Sequence, residues 1–519
     1  SAIRQIARAT GKVMVAQVLG ILTNLISMSL NARAFGTQGE MDAFLAANRV
    51  SETLFVLMAG GALGSAFIPT FTGLLTKDEH SKAWKLASAI ANLVLSILTL
   101  AALLAALFAR PLVRYVLAPG FAGDPQLETL TVNLLYIMLP SAVIFGLSGL
   151  VMGILNSHQV FFLPALTPAL YRLGMIFGVL YLSPRWGIYG LAWGVLLGSA
   201  LHLLCQIPSL LRLRGTYLPT FGLKLPEVRQ VALLMAPRVF GVAVVELNFW
   251  VNTRLASQMA EGSVTGVSWG RAIMIMAESV IAQSVAMVAL PTLAAQFALG
   301  KLDELRAALA ASLRGILLLA LPASLGLILL RQPIVALLLQ YGKFDAHSTQ
   351  LIAWALLWYA AGLVGHSLVE ILARAFYALH DTRTPVLVGS LAMGLNVLFS
   401  VLFSRWFVNL GWMPHGGLAL ANSLATALEA GALFLLMRRR LRGINGRSVL
   451  DVVLRGGLAT VAMGLALWGW VTLAQSMPAW LAALGGVVCG GLVYTLVVLA
   501  LKVPEAHNLG GWLLRKVRR

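Results

Sequence analysis

The 519-residue sequence is 59% hydrophobic and only 11% charged, against roughly a quarter charged in an ordinary soluble domain. That much apolar surface excludes a water-soluble globular fold. The formal net charge of +19 raises nucleic acid as a partner, but in so apolar a chain the basic residues are first a topology signal, and no nucleic-acid partner is expected.

Stretches of the ~20 apolar residues that cross a hydrocarbon core as helix recur along the chain. They lack the ~10-residue alternation of a membrane barrel, so the expected fold class is all-α, a polytopic membrane protein of about 14 transmembrane helices. A basic amphipathic lead with Arg4, Arg8 and Lys12 runs into the first span, 13–35, without a small-residue cleavage site, and that helix is expected to stay. The later spans are expected at 43–73, 84–108, 130–155, 160–182, 187–211, 230–257, 266–297, 307–330, 351–377, 385–404, 416–437, 452–474 and 480–501. An even number puts both ends on one side. That side collects 23 of the Lys and Arg residues, including Lys77, Lys82, Lys85, Arg212, Arg214 and the Arg438–Arg447 run, against 6 in the opposite loops. The richer side is therefore expected to be cytoplasmic, with both termini there.

The chain also resembles itself. Arg110-Pro111-Leu112-Val113 with Gly120-Phe121, after the third span, is echoed about 222 residues later by Gln332-Pro333-Ile334-Val335 with Gly342-Lys343-Phe344. Pro69-Thr70 matches Pro291-Thr292 at the same offset, and Gly190-Leu191-Ala192 parallels Gly417-Leu418-Ala419. The expected organisation is a six-helix lobe over 1–215, a second over 216–447, and a two-helix extension with a basic tail over 448–519. Because six is even, the copies are parallel and related by an axis along the membrane normal, an architecture of secondary transporters.

Nine cations fall within or at the edge of spans: Arg33, Arg49, Arg172, Arg238, Arg254, Arg271, Arg314, Arg374 and Arg455. In-span or edge acids include Asp42, Glu52, Glu246, Glu278, Glu370 and Glu429. Each costs about 2.5–3.5 kcal/mol at a helix centre, so each is expected to face protein or water. Helical spacing pairs Arg49 with Glu52, Arg271 with Glu278 and Glu370 with Arg374. Arg172, Arg314 and Arg455 read as structural. Arg49, Arg238, Arg254 and Arg271, on the second, seventh and eighth spans, are the candidate substrate-binding residues, although snorkelling also accounts for Arg33 and Arg254. Guanidinium groups in a wet cavity suit a multiply charged anionic head group, since their planar forks match phosphate oxygens. Outward movement of each negative charge gains about 2.3 kcal/mol per 100 mV, so voltage or a monovalent ion can drive transport and no cofactor is expected. No phosphate-cradling loop, metal spacing or catalytic constellation is present in the sequence, and an enzyme is not expected.

Of the remaining features, Pro69, Pro140, Pro168, Pro237, Pro291 and Pro322 are static kinks or hinges. His202 and His366 are expected to pack or hydrogen-bond rather than bind metal, and Cys205 and Cys489 to be core residues. Glycines at 456, 457, 464, 485, 486, 490 and 491 give close helix packing in the last pair or, alternatively, a groove for a lipid tail. Asp381-Thr382-Arg383-Thr384-Pro385 reads as a cytoplasmic turn that starts a helix.

Met41-Asp42-Ala43-Phe44, Ala59-Gly60-Gly61-Ala62-Leu63-Gly64-Ser65-Ala66-Phe67-Ile68-Pro69, Ala118-Pro119-Gly120-Phe121, Gln340-Tyr341-Gly342-Lys343-Phe344 and Ala375-Phe376-Tyr377-Ala378-Leu379-His380-Asp381-Thr382-Arg383-Thr384-Pro385 together resemble the MurJ lipid II flippases, in the mouse-virulence-factor branch of the MOP exporter superfamily. The resemblance runs over the first twelve spans. It implies an inner-membrane, alternating-access flippase that moves undecaprenyl-diphosphate-linked peptidoglycan precursor to the periplasmic leaflet. It further implies a cationic cavity between the halves and a last helix pair that helps hold the polyprenyl tail. The implied partners are the lipid-linked anionic substrate and membrane lipids, with cell-wall synthesis enzymes as a further class. On the family pattern Asp42 matches the acid opening the second helix and Arg49 a basic position along it, with Asp42, Arg33 and Glu52 as gating candidates. Arg271 lies within one residue of a cavity arginine. The chain departs from the pattern in its first helix, where Gln17-Val18-Leu19-Gly20-Ile21-Leu22-Thr23-Asn24 lacks two arginines and an acid. Either Arg33, Arg49 and Arg254 compensate, or the cargo is another polyprenyl-diphosphate glycan. An ion-coupled small-molecule exporter, which would favour acids in the cavity, and a scaffold for cell-wall enzymes are the readings from other classes.

Overall fold

The computed structural model describes residues 2–58 and 64–503, and every regular element among them is helical. Part of the glycine-rich motif (59–63) and the tail bearing Arg515, Lys516, Arg518 and Arg519 lie outside the described residues. By its internal contacts the chain divides into two units, one of residues 1–264 with 341–345 and one of 265–340 with 346–519.

In the first unit, α1 is Ala2–Phe35, α2 Gly39–Met58, α3 Gly64–Thr76, α4 His80–Leu107, α5 Pro125–Ser157, α6 Phe162–Phe177, α7 Ile188–Leu204 and α8 Pro226–Ser257. α5 starts where Asp124 caps it, its carboxylate accepting the Gln126 and Leu127 N–H groups at 2.9 and 3.2 Å, with Pro125 in the first turn where no N–H is needed. Phe67 and Phe71 of α3, Leu86, Ile90 and Val94 of α4, and Leu150 and Ile154 of α5 form a shared apolar core. α6 and α7 meet backbone to backbone. A Cβ at Gly178 would sit 2.7 Å from both the Gly190 carbonyl and the Gly194 Cα, so these positions are small because nothing larger fits.

The second unit contains α9 (Ser263–Glu278), α10 (Ser284–Ala298), α11 (Leu302–Leu339), α12 (Ala346–Ala361), α13 (Leu363–Ala378), α14 (Arg383–Asn409), α15 (His415–Arg440), α16 (Gly446–Leu473) and α17 (Ala479–Ala500). α11 is its spine. Leu305, Leu309, Leu313 and Ile316 of that helix join Ile371, Leu372 and Phe376 of α13 and Leu433 and Met437 of α15 in one buried cluster. α16 and α17 lean on the same spine. Tyr494 donates to the Leu318 carbonyl at 2.6 Å, and any Cβ at Gly464 or Gly486 would press on Leu325 or Leu330. Five of the seven glycines singled out in this pair face a packed neighbour, whereas Gly457 and Gly491 have open space, so most of them serve packing.

Among the described residues, eleven helices are long and apolar enough to cross a membrane, and twelve if α12 and α13, bent by 47° at Gly362, form one span. The sequence reading of about 14 exceeds that because the second and eighth expected spans do not qualify as single long apolar helices among the described residues. For the second, residues 59–63 lie outside the described residues, and α2 carries four charged residues, Glu40, Asp42, Arg49 and Glu52. The eighth is interrupted by a π-helical turn, Ser279–Gln283, between α9 and α10. Exposed side chains such as Leu391, Leu465, Trp468 and Leu496 on α14, α16 and α17 suit lipid rather than water as the surrounding medium.

Candidate functional site

The first unit gathers its polar groups on α2 and α8. At the start of α2, buried Asp42 accepts the Gly262 N–H at 2.8 Å, and Glu261 accepts the Gly39 N–H at 2.5 Å. Each carboxylate thus caps the helix start next to the other, where unpaired N–H groups and the helix dipole favour negative charge. Gly262 sits at φ +85°, a left-handed turn that aims its N–H back at α2.

Further along α2, Arg49 is paired with Glu52 at 3.1 Å, and Asn48 donates to the same carboxylate at 3.0 Å. The guanidinium lies over the Phe249 ring of α8, 5.4 Å from its centroid. Its Nε is buried and has no hydrogen-bond partner among the described residues. Beside it, Trp250 donates to Thr53 Oγ1 at 2.8 Å, and Thr53 donates in turn to Glu246 at 2.8 Å. Glu246 is 7% exposed, so this relay supplies hydrogen bonds that a buried carboxylate in a membrane span requires.

The other arginine candidates of this unit do not join Arg49. Arg254 donates to the Tyr115 carbonyl and to Val116 O at 3.4 Å, which fastens α8 to the π-helical segment Leu112–Leu117. Arg238 is exposed on the same helix. Sixteen residues of helix put Arg238 and Arg254 about 24 Å apart along the axis, too far for one phosphate group. Arg33 is exposed, and its contribution is a carbonyl that accepts the Lys343 N–H at 3.0 Å.

The second unit holds a mixed cluster. Arg271 and Glu278 of α9 lie within electrostatic reach of each other, Glu278 also of Glu370, and Arg271 of His366. Glu370 and Arg374 form the expected ion pair on α13, and His366 meets Asn422 Oδ1 at 3.0 Å. Arg314 and Arg455 are structural, as expected, bonding Ser448 Oγ at 2.9 Å and the Leu501 carbonyl at 3.0 Å. His202 is satisfied by Ser148 Oγ at 2.6 Å. No group of three or more His, Cys, Asp or Glu among the described residues is placed to hold a metal ion.

Sequence reasoning missed Asn48, Thr53, Trp250, Glu261 and Glu128. Glu128 is buried in the first turn of α5, with Arg110 and Arg114 Nε atoms at 3.7 and 3.8 Å, although it precedes the expected span. For Thr53, the signal was its place four residues after Arg49, on the same helical face.

The family profile described as Lipid II flippase MurJ matches residues 31–484. The chain belongs to the MurJ family. The lipid II flippase MurJ of Burkholderia cenocepacia is 33% identical over 432 residues, covering 82% of each chain. A solved structure titled lipid II flippase MurJ, inward closed conformation, superposes with a TM-score of 0.79 over 97% of this chain and 99% of its own at 22% identity. An inward-facing multidrug-resistance MATE transporter of the MOP superfamily shares the fold at a TM-score of 0.66 and 16% identity, covering 84% of this chain and 99% of its own. MurJ proteins are transporters, and this one is an all-helical, multi-pass membrane protein.

Proposed function

We propose that the protein flips lipid II, the undecaprenyl-diphosphate-linked peptidoglycan precursor, from the cytoplasmic to the periplasmic leaflet of the inner membrane, with both termini cytoplasmic. The observation that carries this reading is Arg49, whose guanidinium has a buried Nε–H without a partner among the described residues, in a family whose members are named for this cargo. A diphosphate supplies the acceptor oxygens that such a donor needs. The side chains that face it divide the labour. Glu52 and the Phe249 ring hold the guanidinium in place, and the Thr53–Glu246–Trp250 relay stiffens the helix pair around it.

Lobes over 1–215 and 216–447, with 448–519 as an extension, would rock so that the head group is met from alternate sides. Arg271 is the corresponding cation of the second lobe, while Arg238 and Arg254 mark the ends of α8 rather than a shared phosphate site. Asp42 and Glu261 act as the gate, since the caps they supply must break before α2 and the chain entering α9 can separate. The diphosphate charge makes outward movement favourable by about 2.3 kcal/mol per charge per 100 mV, so the potential can drive the cycle.

The test is flipping of a fluorescent lipid II analogue in proteoliposomes, with complementation of a flippase-depleted bacterium. Wild-type protein flips and complements; unchanged flipping with Arg49 and Arg271 both replaced by Ala sinks the assigned roles. The first-helix segment Gln17–Asn24, without charge, favours a second reading, another polyprenyl-diphosphate glycan. Flipping without complementation selects it.

A further inference from the structure

The second unit contains a cavity of about 350 Å³ that none of the preceding roles uses. It lies where α11 ends, α12 begins and the chain turns from α16 into α17. Its polar lining consists of Gln332, Gln340, Thr349, Gln350 and Gln475, with alanine, proline, valine and methionine between them and no charged side chain. Gln340 is oriented, because Thr349 Oγ1 donates to its carbonyl at 3.1 Å and leaves its NH2 to donate elsewhere. The cavity is open to solvent, and Gln332, Gln350 and Gln475, all exposed, make no side-chain hydrogen bond to the described residues and present their amides to the opening.

This lining is selective by what it omits. Without a cation it does not favour phosphate, and without a carboxylate it offers nothing to a metal ion. A lipid tail would strip water from four amides and return no hydrogen bonds. Each glutamine amide both donates and accepts, so the matching ligand is uncharged and dense in groups that do the same, and hydroxyl and acetamido groups are such groups. The volume stands at the small end of the ~300–1,000 Å³ range of ligand sites, which suits a mono- or disaccharide.

We propose that this cavity binds an uncharged N-acetylated saccharide on the face of the membrane opposite the arginine-rich loops. The proposal rests on the flippase reading only for the source of the sugar, the uncharged glycan part of the head group, away from its diphosphate.

The experiment is saturation-transfer NMR on the full-length protein in a detergent without a sugar head, with N,N′-diacetylchitobiose as the probe. Maltose and N-acetylglucosamine 1-phosphate serve as comparison probes. Wild-type protein gives transfer to the acetamido methyls, with diacetylchitobiose favoured over both comparison probes. Gln332→Leu with Gln475→Leu weakens binding by at least about tenfold. Ala336→Trp, which fills the space from α11, abolishes it and serves where the double variant does not fold. Arg49→Ala binds the probe as wild type does, so loss of flipping and loss of saccharide binding are separable. No transfer to wild type, equal binding in both cavity variants, or preference for the phosphorylated sugar overturns the assignment.

Discussion

Arg49 and Arg271 are both guanidinium groups within the expected second and eighth spans, yet their surroundings differ. Arg49 has one carboxylate, half exposed, and an aromatic ring beside it. Arg271 has Glu278 nearby, and Glu278 in turn has Glu370 and its partner Arg374. The first arrangement positions a cation against one carboxylate and a ring; the second balances two cations with two acids. The same contrast runs through the echoed Arg110-Pro111 and Gln332-Pro333 segments. In the first unit the chain leaves α4 at Leu107 and passes Arg110-Pro111 into π-helical and 3-10 turns, whereas α11 continues through Pro333 to Leu339. A similar sequence pattern therefore serves different structural uses, with the segment after α4 carrying the more irregular backbone.

The largest effect that can break this comparison is on transport. Arg49→Ala should lower flipping about 10- to 100-fold, the equivalent of one charge-assisted bond of about 1.5–3 kcal/mol, with little change in melting temperature because Glu52 is left half in water. Arg271→Ala should instead lower the melting temperature, since it leaves Glu278 and Glu370 in mutual repulsion, and Glu278→Gln on that background should restore part of it. Identical behaviour of the two arginine variants in both assays removes the distinction.

Next in size is the relay behind Arg49. Thr53→Val keeps the shape but strands Glu246 and Trp250, so unfolding free energy should fall by about 1–3 kcal/mol. Thr53→Ser should restore it. A smaller effect belongs to the reciprocal caps: Asp42→Ala and Glu261→Ala should each cost about 0.5–2 kcal/mol. Cysteine accessibility near Gly39 should rise in either variant. Protection that stays at the wild-type level in both would show that these carboxylates do not hold the helix start.

Much of this was legible from the chain because lipid imposes a coarse code. Apolar length gave the helices, and the spacings Arg49 to Glu52 and Glu370 to Arg374 gave true ion pairs. The Asp381–Pro385 turn did lead into a helix, which begins at Arg383. What spacing could not convey was the partner across a helix interface. Arg254 satisfies backbone carbonyls 138 and 139 residues away, and Glu261 caps Gly39 from 222 residues away. The amide cavity was hidden for a similar reason: Gln332, Gln350 and Gln475 come from three separate elements, and uncharged residues at helix ends carry no periodic signal.

The smallest predicted effect lies at the turn before α14, where a charge is held outside the membrane. Burial disfavours the Asp381 carboxylate. The Thr384 N–H at 3.0 Å, the Thr384 hydroxyl at 2.7 Å and the Arg440 guanidinium outweigh it and hold the group below its usual value. A depressed carboxylate contributes stability in full above its unfolded value of about 3.9 and loses it as pH falls through the lowered folded value. Wild-type protein should therefore lose stability across that acid window, by less than about 1 kcal/mol for a pair this near the surface. Asp381→Asn keeps an acceptor for the Thr384 N–H but has no charge to lose, so its melting temperature should start lower at neutral pH and converge with wild type in acid. Parallel curves, with a constant offset from pH 7 to 3, would mean that the hydrogen bonds alone hold the turn and that Arg440 contributes nothing.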